Sequence, residues 1–580
     1  MTRLLDVSGL KVGFGRGAQM KPVVHGIDFT LDAGETLAIV GESGSGKSVT
    51  ALSINRLVDY GGGHILQGKL DFSCADGNIV DLAHAPERQL EKIRGAEIGM
   101  IFQEPMTSLN PVLPIGRQIE EAFRLHRGVS GQQAKTAALE ALDRVRIPDA
   151  KRRLSYFPHQ LSGGMLQRVM IAMALACSPR LLIADEPTTA LDVSVQAQIM
   201  ALLAELKRET GMGMIFITHD MGLVAGIADR VMVMQSGRAV EHGRLDDVLD
   251  RPQHAYTQHL LSAVPHFTAG RHARSDYTRP SDTAVPPALS VEGLTVRFPV
   301  TGGLLRRQTG AVHAVEDVTF EVMPGETLAV VGESGSGKST TARAILGLVA
   351  PTRGTFETVA SGEDHGRRPV QMVFQNPYAS LNPRLSVESL LGEPVIASGG
   401  RIDAPMKTRM AQLLERVGLP SDSLGRYAHE FSGGQRQRLC IARALMVNPS
   451  VLVLDEAVSA LDVSVQAKVL DLLVDLQKEM KLAYLFVSHD MAVVERIAHR
   501  IAVLYAGRIV EIGDAGAILA NPQHAYTKRL IAAVPTMERR REHFSLDTSS
   551  VPSLLRPIGY EPPALDWREH GIDHRSRVEA

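Results

Sequence analysis

Short unbroken apolar runs punctuate this chain, each ending abruptly at a glycine or an acidic pair. Leu37-Ala38-Ile39-Val40 stops at Gly41, Leu181-Leu182-Ile183-Ala184 at Asp185-Glu186, and Val451 to Leu454 at Asp455-Glu456. Four consecutive apolar residues bounded in this way fit strands buried on both faces. Stretches of helical spacing lie among them: Val49 to Val58, Gln167 to Cys177 and Gln437 to Val447. Buried strands alternating with helices predict an α/β fold with a largely parallel sheet. Val169 to Ala176, one of the longest apolar runs, is far short of the roughly 18 residues that cross a bilayer and fits a core helix. Any membrane role therefore calls for a partner's helices.

The pattern occurs twice. Asp185 and Asp455, Ser162 and Ser432, His219 and His489, and Pro252 and Pro522 are each 270 positions apart. Lys47 and Lys338 are 291 apart, so the second copy is 21 residues shorter in its first half, mostly where the first carries Gly61 to Ala96. A chain of 580 residues suits two or three domains. The repeat sets them at residues 4–264 and 288–535. Residues 265–287, with Pro280, Pro286 and Pro287 and no apolar periodicity, read as a flexible linker. Residues 536–580 form a Pro-containing tail that holds the only tryptophan, Trp567.

The glycines that end the first strand of each copy belong to identical octapeptides. Gly41-Glu42-Ser43-Gly44-Ser45-Gly46-Lys47-Ser48 recurs as Gly332-Glu333-Ser334-Gly335-Ser336-Gly337-Lys338-Ser339. A strand, a loop of the form G-x-x-x-x-G-K-S and a helix, in that order, place backbone N–H groups and a helix N-terminus around phosphate. Lys47 and Lys338 would reach the β- and γ-phosphates, and the Ser48 and Ser339 hydroxyls would ligate Mg²⁺. Asp185 and Asp455, at strand ends, suit a metal contact; Glu186 and Glu456, next in line, can take a proton from an attacking water. Ser162-Gly163-Gly164 and Ser432-Gly433-Gly434 each precede a helix and offer a hydroxyl and N–H donors to an anion, or serve as an ordinary N-cap. Two nucleotides per chain follow from the two loops.

Composition narrows the picture. A formal charge of −2 with 22% charged residues advertises no nucleic-acid partner. Cys74, Cys177 and Cys440 are far apart, which excludes a disulfide framework and zinc-type spacing and fits a reducing compartment. The start, Met1 to Asp6, lacks the apolar core of a signal peptide.

The ordered set of phosphate loop, Phe-Gln, Ser-Gly-Gly, Asp-Glu, Leu-Asp and His-Asp resembles an ATP-binding cassette (ABC) ATPase twice over, across nearly the whole chain. The resemblance implies two P-loop NTPase cassettes in tandem, each with a RecA-like core and a helical subdomain. It implies that Gln103 and Gln375 are Q-loop glutamines linking the metal site to the helical subdomain, and that Asp192 and Asp462 are D-loop residues. His219 and His489 match the switch histidine that senses γ-phosphate, and Phe14 and Phe298 the aromatic that stacks on adenine. In such proteins each nucleotide also meets the other copy's Ser-Gly-Gly, here Ser432, Gly433, Gly434 and Gln435 for one site and Ser162, Gly163 and Gly164 for the other. Met165 stands where Gln435 stands in the second copy, and Ala457 replaces the proline seen at Pro187.

Phe102-Gln103-Glu104-Pro105, Leu109-Asn110-Pro111 and Pro252-Gln253-His254-Ala255-Tyr256-Thr257 are similar to the branch serving dipeptide, oligopeptide, nickel and glutathione uptake. That branch implies an ATP-hydrolysing motor using ATP and Mg²⁺. Its partners would be two transmembrane permease subunits and, indirectly, a periplasmic substrate-binding protein. It would sit peripherally on the cytoplasmic face of the bacterial inner membrane. Some members carry a cysteine cluster near the C-terminal end; this sequence has none, so no iron–sulfur cluster and no zinc are expected. A soluble tandem cassette acting on the ribosome is the alternative, distinguished by a long, charged, helical linker where this one is short and Pro-rich.

Overall fold

The fold is that of a computed structural model, which describes residues 2–189, 191–264, 267–271, 273–274, 276–277, 279, 285–302, 307–358, 369–459, 461–537, 540, 552–563, 565–571 and 573–578. The chain divides into two units. The first comprises Met1–Leu191, Val195–Val264 and Pro535–Asp547; the second comprises Asp192–Ser194, Pro265–Val534 and Thr548–Ala580.

In the first unit the apolar tetrads become the centre of a six-stranded sheet. Its order is Arg238–Arg244, Arg230–Gln235, Thr36–Val40, Gly213–Ile217, Leu181–Asp185 and Ile98–Ile101. Every pair is parallel except the one made by Arg238–Arg244. Thr36–Val40, Leu181–Asp185 and Gly213–Ile217 are buried at every position, as strands covered on both faces must be. A second, antiparallel sheet runs Lys21–Asp32, Arg3–Phe14, Gly63–Ser73 and Ile79–Asp81. Of these, Ile79–Asp81 has no counterpart among the described strands of the second unit, where Arg353–Thr358 takes the place of Gly63–Ser73. Helices Ile115–Arg127, Gly131–Arg144 and Gly163–Leu175 share an apolar core, in which Ile119, Phe123, Ala138, Leu142, Val169 and Ile171 are buried.

The second unit repeats the scheme and extends it. Its main sheet has eight strands: Val370–Val373, Val451–Asp455, Ala483–Val487, Thr327–Val331, Arg500–Tyr505, Arg508–Asp514, His574–Arg577 and Trp567–Gly571. The last two belong to the segment read from sequence as a tail. A third tail strand, Leu555–Arg556, pairs with Arg307–Val322 in the antiparallel sheet. Trp567 packs on the core beneath this sheet, with the Arg575 and Arg577 guanidiniums 4.7 and 5.0 Å from its ring.

The segment read as a flexible linker is pinned in its described part. The buried carboxylate of Glu495 accepts from Thr268 N–H at 2.7 Å, Gly270 N–H at 2.8 Å and the Thr268 hydroxyl at 2.5 Å. Phe267 and Ala273 pack against the core of the same unit, and the Tyr277 ring lies 5.0 Å from that of His499. Hydrogen bonds and two isolated apolar contacts hold the described part of this stretch, and apolar periodicity does not report them. Residues 265, 266, 272, 275, 278 and 280–284 of the linker, with Pro280, lie outside the described residues.

Candidate functional site

Each octapeptide folds as a loop between a fully buried strand and a helix that begins at its lysine, Lys47–Ile54 and Lys338–Ile345. The first helix is shorter than its spacing suggested: it gives way to a 3-10 turn at Leu57–Gly61. The loop requires its first glycine. At Gly41 a Cβ would lie 2.3 Å from Met234 O, and at Gly332 2.2 Å from Leu504 O, at φ of 153° and 151°.

The residues assigned to phosphate and metal converge within each unit. Lys47 is buried, and its Nζ donates to Gly41 O at 2.7 Å and Glu42 O at 2.9 Å. Lys338 does the same to Gly332 O and Glu333 O, both at 2.9 Å. The Ser48 hydroxyl donates to Asp185 Oδ1 at 3.1 Å, and Ser339 to Asp455 Oδ1 at 3.0 Å. A hydroxyl and a carboxylate side by side make a hard-oxygen pair of the kind Mg²⁺ takes alongside phosphate. Burial, with the Glu186 charge adding to it, pushes the Asp185 carboxyl up to about 6, and burial raises Asp455 likewise. A carboxylate whose desolvation outweighs the pull of the neighbouring lysine fits a cation that arrives with its ligand. The buried hydroxyls of Ser45 and Ser336 also find no hydrogen-bond partner among the described residues. The donor set thus fits a Mg²⁺-bound nucleotide.

Glu186 and Glu456 follow their strands in the left-handed region, φ 46° and 47°, an uncommon conformation that a non-glycine residue keeps only when its surroundings hold it. Here those surroundings are visible. Glu186 N–H donates to Ile217 O at 2.9 Å, and its Oε2 accepts from Gln103 Nε2 at 3.1 Å and the Thr189 hydroxyl at 2.8 Å. His219 Nδ1 stands 3.5 Å from the same oxygen. Glu456 is met by Gln375 Nε2 at 2.6 Å and by His489 Nδ1 at 3.2 Å. Burial works against ionisation of Glu186, but the His219 hydrogen bond and charge prevail and hold it down to about 2; Glu456 is lowered by the same balance. Both histidines are raised despite burial, by the hydrogen bond and charge of their glutamates. Gln103 and Gln375 therefore touch the glutamate; neither hydrogen-bonds to the Ser–Asp pair assigned with it to the metal. The aspartates of the two His-Asp dipeptides cap the following helices, Asp220 through Gly222 and Leu223 N–H and Asp490 through Ala492 and Val493 N–H, which fixes where the histidines start.

The Ser-Gly-Gly segments lie on the first turn of helices Gly163–Leu175 and Gly433–Leu445, with Ser162 and Ser432 as N-caps. Among the described hydrogen bonds neither serine reaches the phosphate loop of its own unit. Gln435 closes a capping box, its Oε1 accepting Ser432 N–H at 3.0 Å, while Met165 supplies no such acceptor and instead takes a contact from Arg153. Asp192 is buried, and Asp462 is the N-cap of helix Val463–Met480. Phe298 is 42% exposed, as a stacking platform requires, whereas Phe14 packs partly into the core beside Val58.

Sequence reasoning missed four residues tied to the loops. Tyr256 Oη accepts Glu42 N–H at 3.2 Å, and Tyr526 Oη accepts Glu333 N–H at 2.8 Å. Their helices are anchored by Glu241, which accepts Gln253 and His254 N–H at 2.8 and 3.1 Å, and by Glu511, which accepts Gln523 and His524 N–H at 2.8 and 3.0 Å. The available signal was the hexapeptide Pro-Gln-His-Ala-Tyr-Thr, repeated intact at residues 252–257 and 522–527.

Comparison with known proteins follows the same duplication. A family profile described as ABC transporter matches residues 24–189 and 315–459, and one described as oligopeptide/dipeptide transporter, C-terminal region, matches residues 240–288 and 510–559. The glutathione import ATP-binding protein GsiA of Salmonella typhimurium is 51% identical over 599 residues, covering 98% of this chain and 96% of its own. The protein of that name from Escherichia coli K12 is 50% identical over 600 residues with the same coverage. The one from Pectobacterium atrosepticum is 51% identical, covering 99% of this chain and 96% of its own. A solved ATP-binding cassette, MJ0796 bound to ADP and Pi, matches 42% of this chain and 99% of its own at 29% identity and a TM-score of 0.37.

Proposed function

The chain belongs to the ABC transporter family as a tandem ATPase, and from that premise we propose that it powers an importer of small peptides of the glutathione class. The observation that carries the motor reading is the carboxylate of Glu186, and of Glu456, held at the end of a fully buried strand between a Q-loop glutamine and a histidine. The cargo class rests on relatives named for glutathione import at 50–51% identity over nearly the whole chain. In this reading the partners are two transmembrane permease subunits and a periplasmic substrate-binding protein, and the chain works at the cytoplasmic face of the inner membrane. No helix among the described residues is long and apolar enough to cross a membrane.

Bound Mg²⁺ supplies charge neutralisation of the phosphate oxygens, and Ser48 with Asp185, or Ser339 with Asp455, would hold it. Lys47 and Lys338, oriented by the backbone carbonyls of their loops, donate to phosphate oxygens when nucleotide enters. Glu186, ionised because His219 holds it so, is the base for the attacking water; Gln103, Thr189 and His219 all meet its Oε2, leaving Oε1 to take the proton. His219 then steadies the protonation state of that carboxyl. Glu456 is the base in the second copy, where its oxygens are divided differently: Gln375 Nε2 meets Oε2 at 2.6 Å and His489 Nδ1 meets Oε1 at 3.2 Å.

Lys47→Ala and Lys338→Ala are each expected to remove one of two binding sites for a non-hydrolysable ATP analogue. Glu186→Gln and Glu456→Gln are expected to bind it normally but to slow hydrolysis about 10²–10⁴-fold at their own sites. Two intact sites in either lysine variant, or unchanged turnover in the double glutamine variant, would refute the assignment. Glutathione uptake measured in cells carrying the Glu186→Gln, Glu456→Gln chain tests the cargo: uptake at wild-type levels removes it.

A further inference from the structure

We propose that the Tyr256 and Tyr526 hydroxyls are positioning groups for the two phosphate loops, setting the peptide that holds each loop lysine. The inference rests on the reading of those loops as phosphate sites and adds to it residues from the far C-terminal region of each copy.

One peptide unit is the centre of the argument. The bond between Gly41 and Glu42 carries the N–H that donates to Tyr256 Oη at 3.2 Å and the carbonyl, Gly41 O, that accepts Lys47 Nζ at 2.7 Å. In the second copy Glu333 N–H donates to Tyr526 Oη at 2.8 Å, and Gly332 O accepts Lys338 Nζ at 2.9 Å. A peptide is planar, so fixing its N–H fixes the direction of its carbonyl. The residue on the N-terminal side is glycine in both loops and brings no side chain to hold the plane. The tyrosine is therefore a lateral restraint on the plane to which the ammonium is tied.

The restraint is itself rigid. Tyr256 is 9% exposed and Tyr526 2%. Each sits in the first turn of a helix whose N-cap histidine accepts its backbone N–H through Nδ1, His254 at 3.2 Å and His524 at 3.1 Å. Each histidine's own N–H goes to the buried or half-buried carboxylate of Glu241 or Glu511. A continuous path thus runs from carboxylate to histidine, tyrosine, loop peptide and lysine, built twice from an identical hexapeptide. Among the described hydrogen bonds neither phenol meets Glu186 or Glu456, so its loss acts on the geometry of the loop and not on the water-activating base.

Losing one buried hydrogen bond of this kind weakens whatever depends on it about three- to tenfold. Tyr256→Phe in the Lys338→Ala chain, and Tyr526→Phe in the Lys47→Ala chain, isolate the two loops while keeping the aromatic packing. Equilibrium binding of a fluorescent non-hydrolysable ATP analogue with Mg²⁺ to the full chain is expected to weaken about three- to tenfold in each. In the otherwise wild-type chain carrying both Phe substitutions, KM for ATP is expected to rise by a similar factor, with kcat within about twofold. Wild-type affinity in both Phe variants overturns the inference, even if their unfolding midpoints fall, since that pattern marks a packing role alone. A fall in kcat at unchanged KM overturns it too. Undiminished binding by a Lys47→Ala, Lys338→Ala chain would instead remove the phosphate-site reading first, and this inference with it.

Discussion

A methyl group placed on Gly434 is a direct test of how the Ser-Gly-Gly turn is seated. Gly434 is the second residue of helix Gly433–Leu445, and a Cβ there would lie 2.2 Å from Cγ1 of Val465, on helix Val463–Met480. Two effects oppose each other. Alanine favours helix over glycine by about 1 kcal/mol in an interior position, and by less in a first turn. Against this, ordinary contact needs about 3.4 Å, so one helix must back away by about 1 Å. Val465 cannot swing aside cheaply, because a valine in a helix has one strongly preferred rotamer. Over-packing on this scale costs about 1–3 kcal/mol and exceeds the helix gain. Gly434→Ala should therefore destabilise the second unit by about 1–2 kcal/mol, or roughly 2–3 °C in the midpoint of a unit this size. Differential scanning calorimetry of the full chain reads this shift. The decisive arm is the cycle with Val465→Ala, which removes the atom that is struck. The double variant should lose about 1 kcal/mol less than the two single losses added. Additivity within about 0.5 kcal/mol would show that the glycine is not there for Val465, and the reasoning would fail. Gly164→Ala, whose Cβ would meet Val195 Cγ1 at 2.6 Å, should follow with the same sign and a smaller size.

Two further outcomes follow from the second unit. Glu495→Gln removes the charged acceptor of Thr268 and Gly270, a loss of about 1.5–3 kcal/mol of local stability, so trypsin should cut after Arg271 or Arg274 at least about tenfold faster, and an unchanged rate would contradict the pinning. His499 is held down to about 4 by burial and by the Arg274 charge, against the pull of Asp276 and Asp514. The unfolded chain then takes up this proton first, so stability falls as pH drops from 6.5 towards 4, by about 3 kcal/mol at most, and levels off below. Denaturation midpoints over that range should flatten in His499→Gln; an identical pH slope in both chains would refute the assignment.

The parts of the site that the sequence disclosed are those whose chemistry is local. A phosphate loop is eight consecutive residues, and an acidic pair at the end of an apolar tetrad marks itself by abrupt change of polarity. What stayed hidden depends on distant partners. Nothing in Tyr256 announces that its hydroxyl meets Glu42, 214 positions away. Thr189 reads as part of a run following Asp-Glu, yet its hydroxyl holds the Glu186 carboxylate. Two of the three tail strands, His574–Arg577 and Trp567–Gly571, escaped notice because Trp567, partly buried on the core, is their one apolar side chain. The contacts of the linker stayed hidden for a related reason: a buried acid 225 positions away holds Gly270, and periodicity does not report such a bond.

These hidden contacts also show where the two copies part company. Their reacting groups are duplicated residue for residue, so the difference lies in what surrounds them. The first copy secures Glu186 with Thr189; in the second, the equivalent Ser459 hydroxyl turns to the backbone oxygen of Glu456. The second copy closes a capping box with Gln435, where the first has Met165. Glu511, which anchors the helix of Tyr526, gains a further donor from the tail, His574 Nε2 at 2.8 Å, and Arg297, beside Phe298, is gripped by Glu561 at 2.7 and 2.9 Å. Glu561 pulls on exposed ground and adds little energy by itself. Its position matters more, because the tail then touches the strand bearing Phe298 and the carboxylate that anchors the helix of Tyr526. Divergence has thus spared the chemistry and worked on the scaffold, and in the second copy that scaffold extends to the end of the chain.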